Sequence, residues 1–427
     1  MSFESVAVLA HAMGRTLVLP PAQPLYLLKG KNANGKRDLG FADFFPIERV
    51  RELEVITMTE FLEREGERQL TNMPKDISRR SVKELWSYLW TQSFKPKWKP
   101  ISNCILFGSD LPPHAADFCD GRFPVGYNAT MQASFLIHFP SAPKQGYRYF
   151  THFYTFVLFA DPAADRFYKR WIRDRMHYVD SLFCVAHKII RALKNSTAKG
   201  SYSSFHVRRG DLQYKTAKVP SQQVYDLSEE YLEDNELLYI ATDEKDSTYF
   251  DPLRKRYQLK FLSDFEDLLG DVSYNYYGMI EQLVATQGRT FTGTFFSTFT
   301  GYITRLRGYM GYHDNFTYYY APEERRLSFR TQTWPTNPYY TREWSIAWHD
   351  IDAEDDQPHW DAGVDSASNI RRRRQAGRAR QCRDDHGQNF DIISSKCTDL
   401  PLWNFETCIE DPVCNRQWRS RRQQPFT

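Results

Sequence analysis

The chain lacks any run of eighteen apolar residues, so nothing in it reads as a helix that would cross a membrane. No basic stretch followed by an apolar run opens it either, so no entry signal for secretion is visible. Charge of one sign is also scarce: 56 Lys and Arg face 53 Asp and Glu, and a net charge of +3 is too small to make nucleic acid a general partner. There is no G-x-x-x-x-G-K-[ST] loop, which disfavours a P-loop nucleotide hydrolase. The absence of a G-x-S-x-G elbow and of an H-E-x-x-H helix removes the commonest hydrolase signatures. Cysteines never occur as C-x-x-C beside a His pair, so a structural zinc site is not expected. The nearest thing to a D-x-D metal motif, Asp350-Ile351-Asp352, lies where no structural pattern survives, and no metal is expected.

Aromatic residues are plentiful, with 30 Phe, 26 Tyr and 10 Trp. Aromatic-rich clefts often hold sugars, although a large core would account for many of these rings. Four of the seven cysteines, Cys382, Cys397, Cys408 and Cys414, crowd the C-terminal end, while Cys104, Cys119 and Cys184 are scattered. Disulfides are expected within the crowded set, which implies an oxidising compartment. Three sequons, at Asn128, Asn195 and Asn315, point the same way.

The hydrophobic pattern divides the chain. Residues 1–160 are expected to form a first α/β lobe, 161–345 a second, and 346–427 a mostly disordered tail containing the cysteine cluster. Phe3–Met13 reads as a helix stopped by Gly14, and Thr16–Leu19 as a buried strand closed by Pro20-Pro21. This is the second half of a βαβ unit without its first strand, so Met1 is expected to be an internal methionine of a longer protein. Val55–Met58 reads as a strand, and residues 59–65 as a helix stopped by Gly66. Residues 68–100 read as an irregular insertion, with short apolar runs at 101–107 and 133–138. A single long amphipathic helix is expected over 164–193. Beyond it, strands are expected at 203–207, 237–241, 260–262 and 289–292, and helices at 276–286 and after Ser297. Such alternation implies a parallel sheet covered by helices.

One segment carries the most chemistry. Ser203–Val207 is a short, buried-looking strand that runs straight into Arg208-Arg209-Gly210-Asp211. Side-chain alternation puts His206 and Arg208 on one side, and ligands of open α/β sheets bind outside the carboxyl ends of the strands. An imidazole and a guanidinium there suit a phosphate ligand; an edge loop with ordinary surface charges is the competing reading. Arg209-Gly210-Asp211 also matches an integrin-type adhesion tripeptide, which a position following a buried strand makes improbable. Ser297-Thr298 is the second candidate, because hydroxyls and N–H groups at a helix N-terminus attract anions, although simple capping uses the same residues. Glu281 sits off the apolar face of its helix. It is either a solvated glutamate or a carboxylate able to accept both donors on the N–H edge of guanine.

Phe205–Asp211 resembles the His-x-Arg motif that opens the second lobe of GDP-fucose protein O-fucosyltransferases and their α1,6-fucosyltransferase relatives. Tyr239–Asp243 is similar to their strand ending in Ala-Thr-Asp, and Phe291–Thr300 to their final strand followed by Ser-Ser/Thr-Phe. The three occur in the family's order. Met1–Glu4 with Gly14–Pro21 resembles the helix and strand that follow the family's donor-site loop. The resemblance spans about residues 1–345 and is patchy between 66 and 200. It implies a GT-B fold, two Rossmann-like lobes with parallel sheets and a cleft between them. It further implies inverting, metal-independent transfer of fucose from GDP-fucose to a Ser or Thr hydroxyl of a protein or glycoprotein acceptor.

By the same resemblance Arg208 corresponds to the catalytic arginine on the β-phosphate and glycosidic oxygen, and His206 to the histidine that contacts guanine. Glu281 corresponds to an acidic guanine reader, and Ser297, Thr298 and Phe299 to the diphosphate grip. Arg209, Asp211 and Asp243 stand beside them as further candidates. The implied compartment is the lumen of the endoplasmic reticulum or Golgi, with any membrane anchor upstream. The family's Gly-x-x-Asn type loop has no counterpart in this chain, and no general base is named. A glycan acceptor, or a catalytically weak carbohydrate- or GDP-binding protein of the same fold, are the alternatives.

Overall fold

The computed structural model describes residues 2–22, 28, 39–47, 50, 52–67, 89–91, 93–96, 103–107, 119, 123–139, 157, 159–210, 215, 218–294, 297–312, 317–320, 348, 351, 382–383 and 389–390. The chain divides into two units, Met1–Val179 and Asp180–Thr427. Among the described residues no helix is long and apolar enough to cross a membrane.

In the first unit, α1 (Ser2–Ala12) leads to β1 (Leu17–Val18), which pairs in parallel with β2 (Val55–Ile56), and α2 spans Met58–Glu67. A second parallel pair joins β3 (Asn103–Phe107) to β4 (Phe123–Tyr127), and a disulfide ties Cys104 to Cys119. Asn128 caps the short α3 (Ala129–Ala133) by accepting the Met131 N–H at 3.1 Å. The Arg15 guanidinium fixes this helix by donating to the Met131 and Gln132 carbonyls at 2.8 and 3.0 Å. The unit ends with α4 (Pro162–Arg175), which is capped by Asp161 and carries Pro162 in its first turn.

The second unit opens with α5 (Asp180–Asn195), whose Leu182, Ala186, Ile189, Ile190 and Leu193 are buried at helical spacing. Then follow β5 (Ser203–Val207), α6 (Ser221–Ser228), β6 (Leu237–Thr242), α7 (Asp251–Arg254), β7 (Gln258–Phe261) and α8 (Glu266–Leu269). Next come α9 (Tyr277–Thr286), β8 (Phe291–Thr294), α10 (Thr298–Tyr309) and β9 (Thr317–Tyr320). Strands β5 to β9 form one sheet in the order β7-β6-β5-β8-β9, with every pair parallel. A final antiparallel pair, β10 (Cys382–Arg383) with β11 (Asn389–Phe390), lies toward the C-terminus.

The central strand is buried along its whole length, as expected where helices cover both faces of a parallel sheet. On one face Phe205, Val207, Leu238 and Ile240 pack with Val219, Val224, Phe250 and Leu253. Each such large apolar side chain contributes about 1.5–3 kcal/mol on full burial. On the other face the small Ser204 donates to the Ala285 carbonyl of α9 at 2.6 Å, and Tyr202 donates to Val284 at 2.7 Å. That helix is thereby held against the sheet.

Several sequence expectations are corrected. The single helix expected over 164–193 is two helices, because the chain leaves the helix after Arg175 and Val179 donates to the Phe44 carbonyl at 3.0 Å. A tertiary bond there outweighs a continuous apolar period. The helix expected to stop at Gly66 runs on to Glu67. The short apolar run over 133–138 is the end of α3 followed by an isolated bridge from Ile137 to Phe94. Most of the 68–100 insertion, Asp350, Asp352, and Cys397, Cys408 and Cys414 lie outside the described residues.

Candidate active site

The strand order of the second unit sets the location. From β5 the chain steps outward to β6 and β7, then returns to β8 on the other side of β5 and continues to β9. This is the 3-2-1-4-5 order of doubly wound sheets, in which the carboxyl ends at the reversal leave a crevice for ligand. The reversal lies between β5 and β8. His206 and Arg208 are at the carboxyl end of the first, and Ser297 follows the second.

His206 is buried, with its Nδ1 hydrogen-bonded to Thr300 Oγ1 at 2.7 Å. Its ring stacks on Phe299, centroids 4.4 Å apart and planes 27° from parallel. Burial, aided by the Arg208 charge, pushes its pKa down to about 3, so the ring is neutral at physiological pH. A neutral imidazole with one nitrogen engaged can still exchange a hydrogen bond at the other.

Arg208 leaves the strand with its backbone N–H donating to Thr294 Oγ1 at 2.7 Å. That hydroxyl in turn donates to the His206 carbonyl at 3.2 Å, and the Thr294 carbonyl accepts the Ser297 N–H at 3.4 Å. One threonine therefore ties the arginine turn to the start of α10. The Arg208 guanidinium lies 3.2 Å from Asp243 through Nε, with the two side chains 22% and 31% exposed. Asp243 Oδ1 also accepts the backbone N–H groups of Arg209 and Gly210, at 2.7 and 3.1 Å.

Arg209 points into structure. Its Nε donates to Glu244 at 2.6 Å, its Nη1 donates to the Val219 carbonyl at 3.1 Å, and its guanidinium lies over the Tyr249 ring at 4.2 Å.

Glu281, on α9, reaches the end of β6, where its carboxyl group accepts the Thr242 backbone N–H. Burial, reinforced by the Asp243 charge, raises its pKa to about 8. Ser297 occupies the N-cap of α10 and is buried, yet its hydroxyl makes no capping bond. Thr298 is exposed in the first turn of the same helix. That terminus adds N–H groups and a positive dipole end to the cluster.

The structure thus gathers His206, Arg208, Asp243, Glu281, Ser297, Thr298 and Phe299 at one end of one sheet, and turns Arg209 away onto Glu244. Asp211 lies outside the described residues. Sequence reading missed Thr294 and Thr300, whose hydroxyls hold the arginine turn and the histidine. Their signal was present: a threonine at the end of a buried strand, and another two positions after Ser297-Thr298, are hydroxyls that must find partners. Among the described residues there is no group of three or more His, Cys, Asp or Glu side chains that could hold a metal ion.

A doubly wound α/β domain with a stacked neutral imidazole, a partly open arginine and a helix N-terminus at its reversal presents there groups whose chemistry suits a phosphate-bearing ligand. The profile of the GDP-fucose protein O-fucosyltransferase family matches residues 1–310, and the chain belongs to that family. Among solved structures it is similar to POFUT1 in complex with GDP-fucose, at 12% identity over 75% of this chain and 92% of that one, with a TM-score of 0.36. A second crystal form of that complex matches at 14% identity over 74% and 93%, TM-score 0.36. POFUT1 in complex with GDP matches at 12% over 74% and 93%, TM-score 0.34. No curated protein matches the chain.

Proposed function

We propose that the chain is an inverting, metal-independent fucosyltransferase that moves fucose from GDP-fucose to a Ser or Thr hydroxyl of a protein in the lumen of the secretory pathway. Family membership supports the donor and the transfer. The observation that carries the site assignment is the double tie through Thr294, which joins the Arg208 turn to the Ser297 end of α10. The two-lobed GT-B architecture is part of the same reading, and the 3-2-1-4-5 sheet of the second unit supports it on that side.

In this reading the acceptor oxygen attacks C1 of fucose as the bond from C1 to the β-phosphate oxygen breaks. The electron pair leaves with GDP, and the acceptor hydroxyl proton is released. Positive charge develops on the sugar and negative charge on the departing diphosphate. The Arg208 guanidinium and the N–H groups of Thr298 and Phe299 are fixed donors for that negative charge, aimed before the reaction begins. Glu281 accepts from the N–H edge of guanine, and His206 contributes its free nitrogen and its stacked ring. Arg209 is assigned to holding the turn rather than to the ligand.

Calorimetric titration of the folded chain with GDP, against UDP and ADP, tests the reading. GDP should bind selectively. Arg208→Ala should abolish that binding and lower transfer by roughly 10²–10³-fold, the effect of losing one preorganised donor. The unfolding midpoint should barely move, because a partly exposed ion pair contributes about 0–1 kcal/mol. Equal affinity for the three diphosphates would sink the assignment.

A further inference from the structure

We propose that Asp243 is a positioning residue for the diphosphate, acting through Arg208; this rests on the donor-site reading above. A carboxylate only accepts hydrogen bonds, and it has two oxygens to divide among partners. In Asp243 the division is clear. Oδ1 takes the backbone N–H groups of Arg209 and Gly210, at 2.7 and 3.1 Å. Oδ2 faces the Arg208 Nε at 3.2 Å. One side chain therefore fixes both the path of the turn and the root of the guanidinium fork.

Two neighbouring features make this a built arrangement. The first is the anchoring of Asp243 itself. Thr242 Oγ1 donates to the Val207 carbonyl at 2.7 Å, binding the end of β6 to the end of β5 just before Asp243. The second is the packing at Gly210. A Cβ built there would lie 2.5 Å from Asp243 Oδ2 and 3.1 Å from Cγ. Any side chain at 210 would therefore push on the oxygen that faces Arg208. The turn also has independent supports, since Arg209 is held by Glu244 and Val219, and Lys218 Nζ donates to the Gly210 carbonyl. Removing the Asp243 charge should accordingly leave the turn in place and release the arginine.

The experiment is a titration of the full chain with guanosine, GMP and GDP, for wild type, Asp243→Asn and Gly210→Ala. Asparagine keeps an oxygen for the two backbone N–H groups and can turn an NH₂ toward Arg208. Loss of a residue that positions only the diphosphate ligand should cost GDP roughly tenfold in affinity relative to GMP, the scale of one charge-assisted hydrogen bond, while any change passed to guanine through Glu281 falls equally on all three ligands. Gly210→Ala should reproduce that pattern with the carboxylate intact.

An unaltered ratio of GDP to GMP affinity in both single variants would overturn the proposal, as would an equal loss for all three ligands, which marks a purely structural role. If Asp243→Asn does not fold, Gly210→Ala carries the comparison alone. Failure of the folded wild type to bind GDP at all would instead overturn the donor-site reading, and this inference with it.

Discussion

At the scale of single residues, Glu281 holds the most unusual state in the site. Partial burial, with the Asp243 charge beside it, raises the pKa of its carboxyl group to about 8, so at neutral pH it keeps its proton in the unliganded protein. The folded state thus binds a proton over a window in which the unfolded chain has lost it. The resulting stability is complete below about pH 4.5 and is lost as pH rises to about 8, with a slope of at most ~1.4 kcal/mol per pH unit. Glu281→Gln should flatten the fall of the unfolding midpoint between these limits; parallel curves for variant and wild type would refute the assignment. Guanine, offering two donors, favours the ionised form, so GDP binding near pH 7 should release close to one proton. That release, read from the buffer dependence of the calorimetric enthalpy, should vanish in the variant. His206 has the opposite sign. Its lowered pKa makes stability fall as pH drops from about 6.5 toward about 3. The sequence exposed half of this. Alternation along a buried strand was enough to single out His206 and Arg208. The periodicity of α9 put Glu281 off the apolar face and no more, because the register that brings it to Thr242 is set between elements far apart in the chain.

At the scale of elements, β8 and α10 meet so closely that the strand is shaped to the helix. Gly293, paired in register with His206, would place a Cβ 2.3 Å from Thr300 Cγ2 and 2.7 Å from its Oγ1. Thr300 is the partner of His206 Nδ1, so Gly293→Ala should displace the hydroxyl that orients the imidazole. Overpacking of this kind costs about 1–3 kcal/mol, which a shift of the urea midpoint at constant slope would register; an unchanged midpoint would show that α10 yields freely. The legibility of elements follows from the same packing. Strands buried between helices are short apolar runs with abrupt polar ends, and β5 was bounded correctly from its residues alone. The strand β4 is Phe-Pro-Val-Gly-Tyr, largely exposed and paired with β3 in a two-stranded sheet. There a proline and a glycine are tolerated and the usual strand signals fail. The break between α4 and α5 was hidden for another reason. Nothing local ends the helix, and the bond from Val179 to Phe44 cannot be read from periodicity.

At the scale of the whole molecule, the hydrogen bonds of the site connect residues of the second unit, from His206 to Thr300. The disulfide between Cys104 and Cys119 belongs to the first unit and closes a loop with a sequence separation of 15. A loop of that length contributes about 3 kcal/mol in the chain-entropy account of disulfides. The sequence pointed to cysteine pairing near the C-terminus, whereas this bond joins two of the scattered cysteines, because a parallel pair of strands and the buried Ala160 bring them together. Replacing both, Cys104→Ser with Cys119→Ser in the full chain, should lower the unfolding transition of the first unit. GDP affinity should stay unchanged, since among the described residues the hydrogen bonds of the donor cluster run within the second unit. Calorimetric unfolding combined with a GDP titration separates the two effects. A parallel loss of GDP binding would show that the donor site depends on the first unit, and the second unit's sheet would then be an incomplete account of how the diphosphate is held.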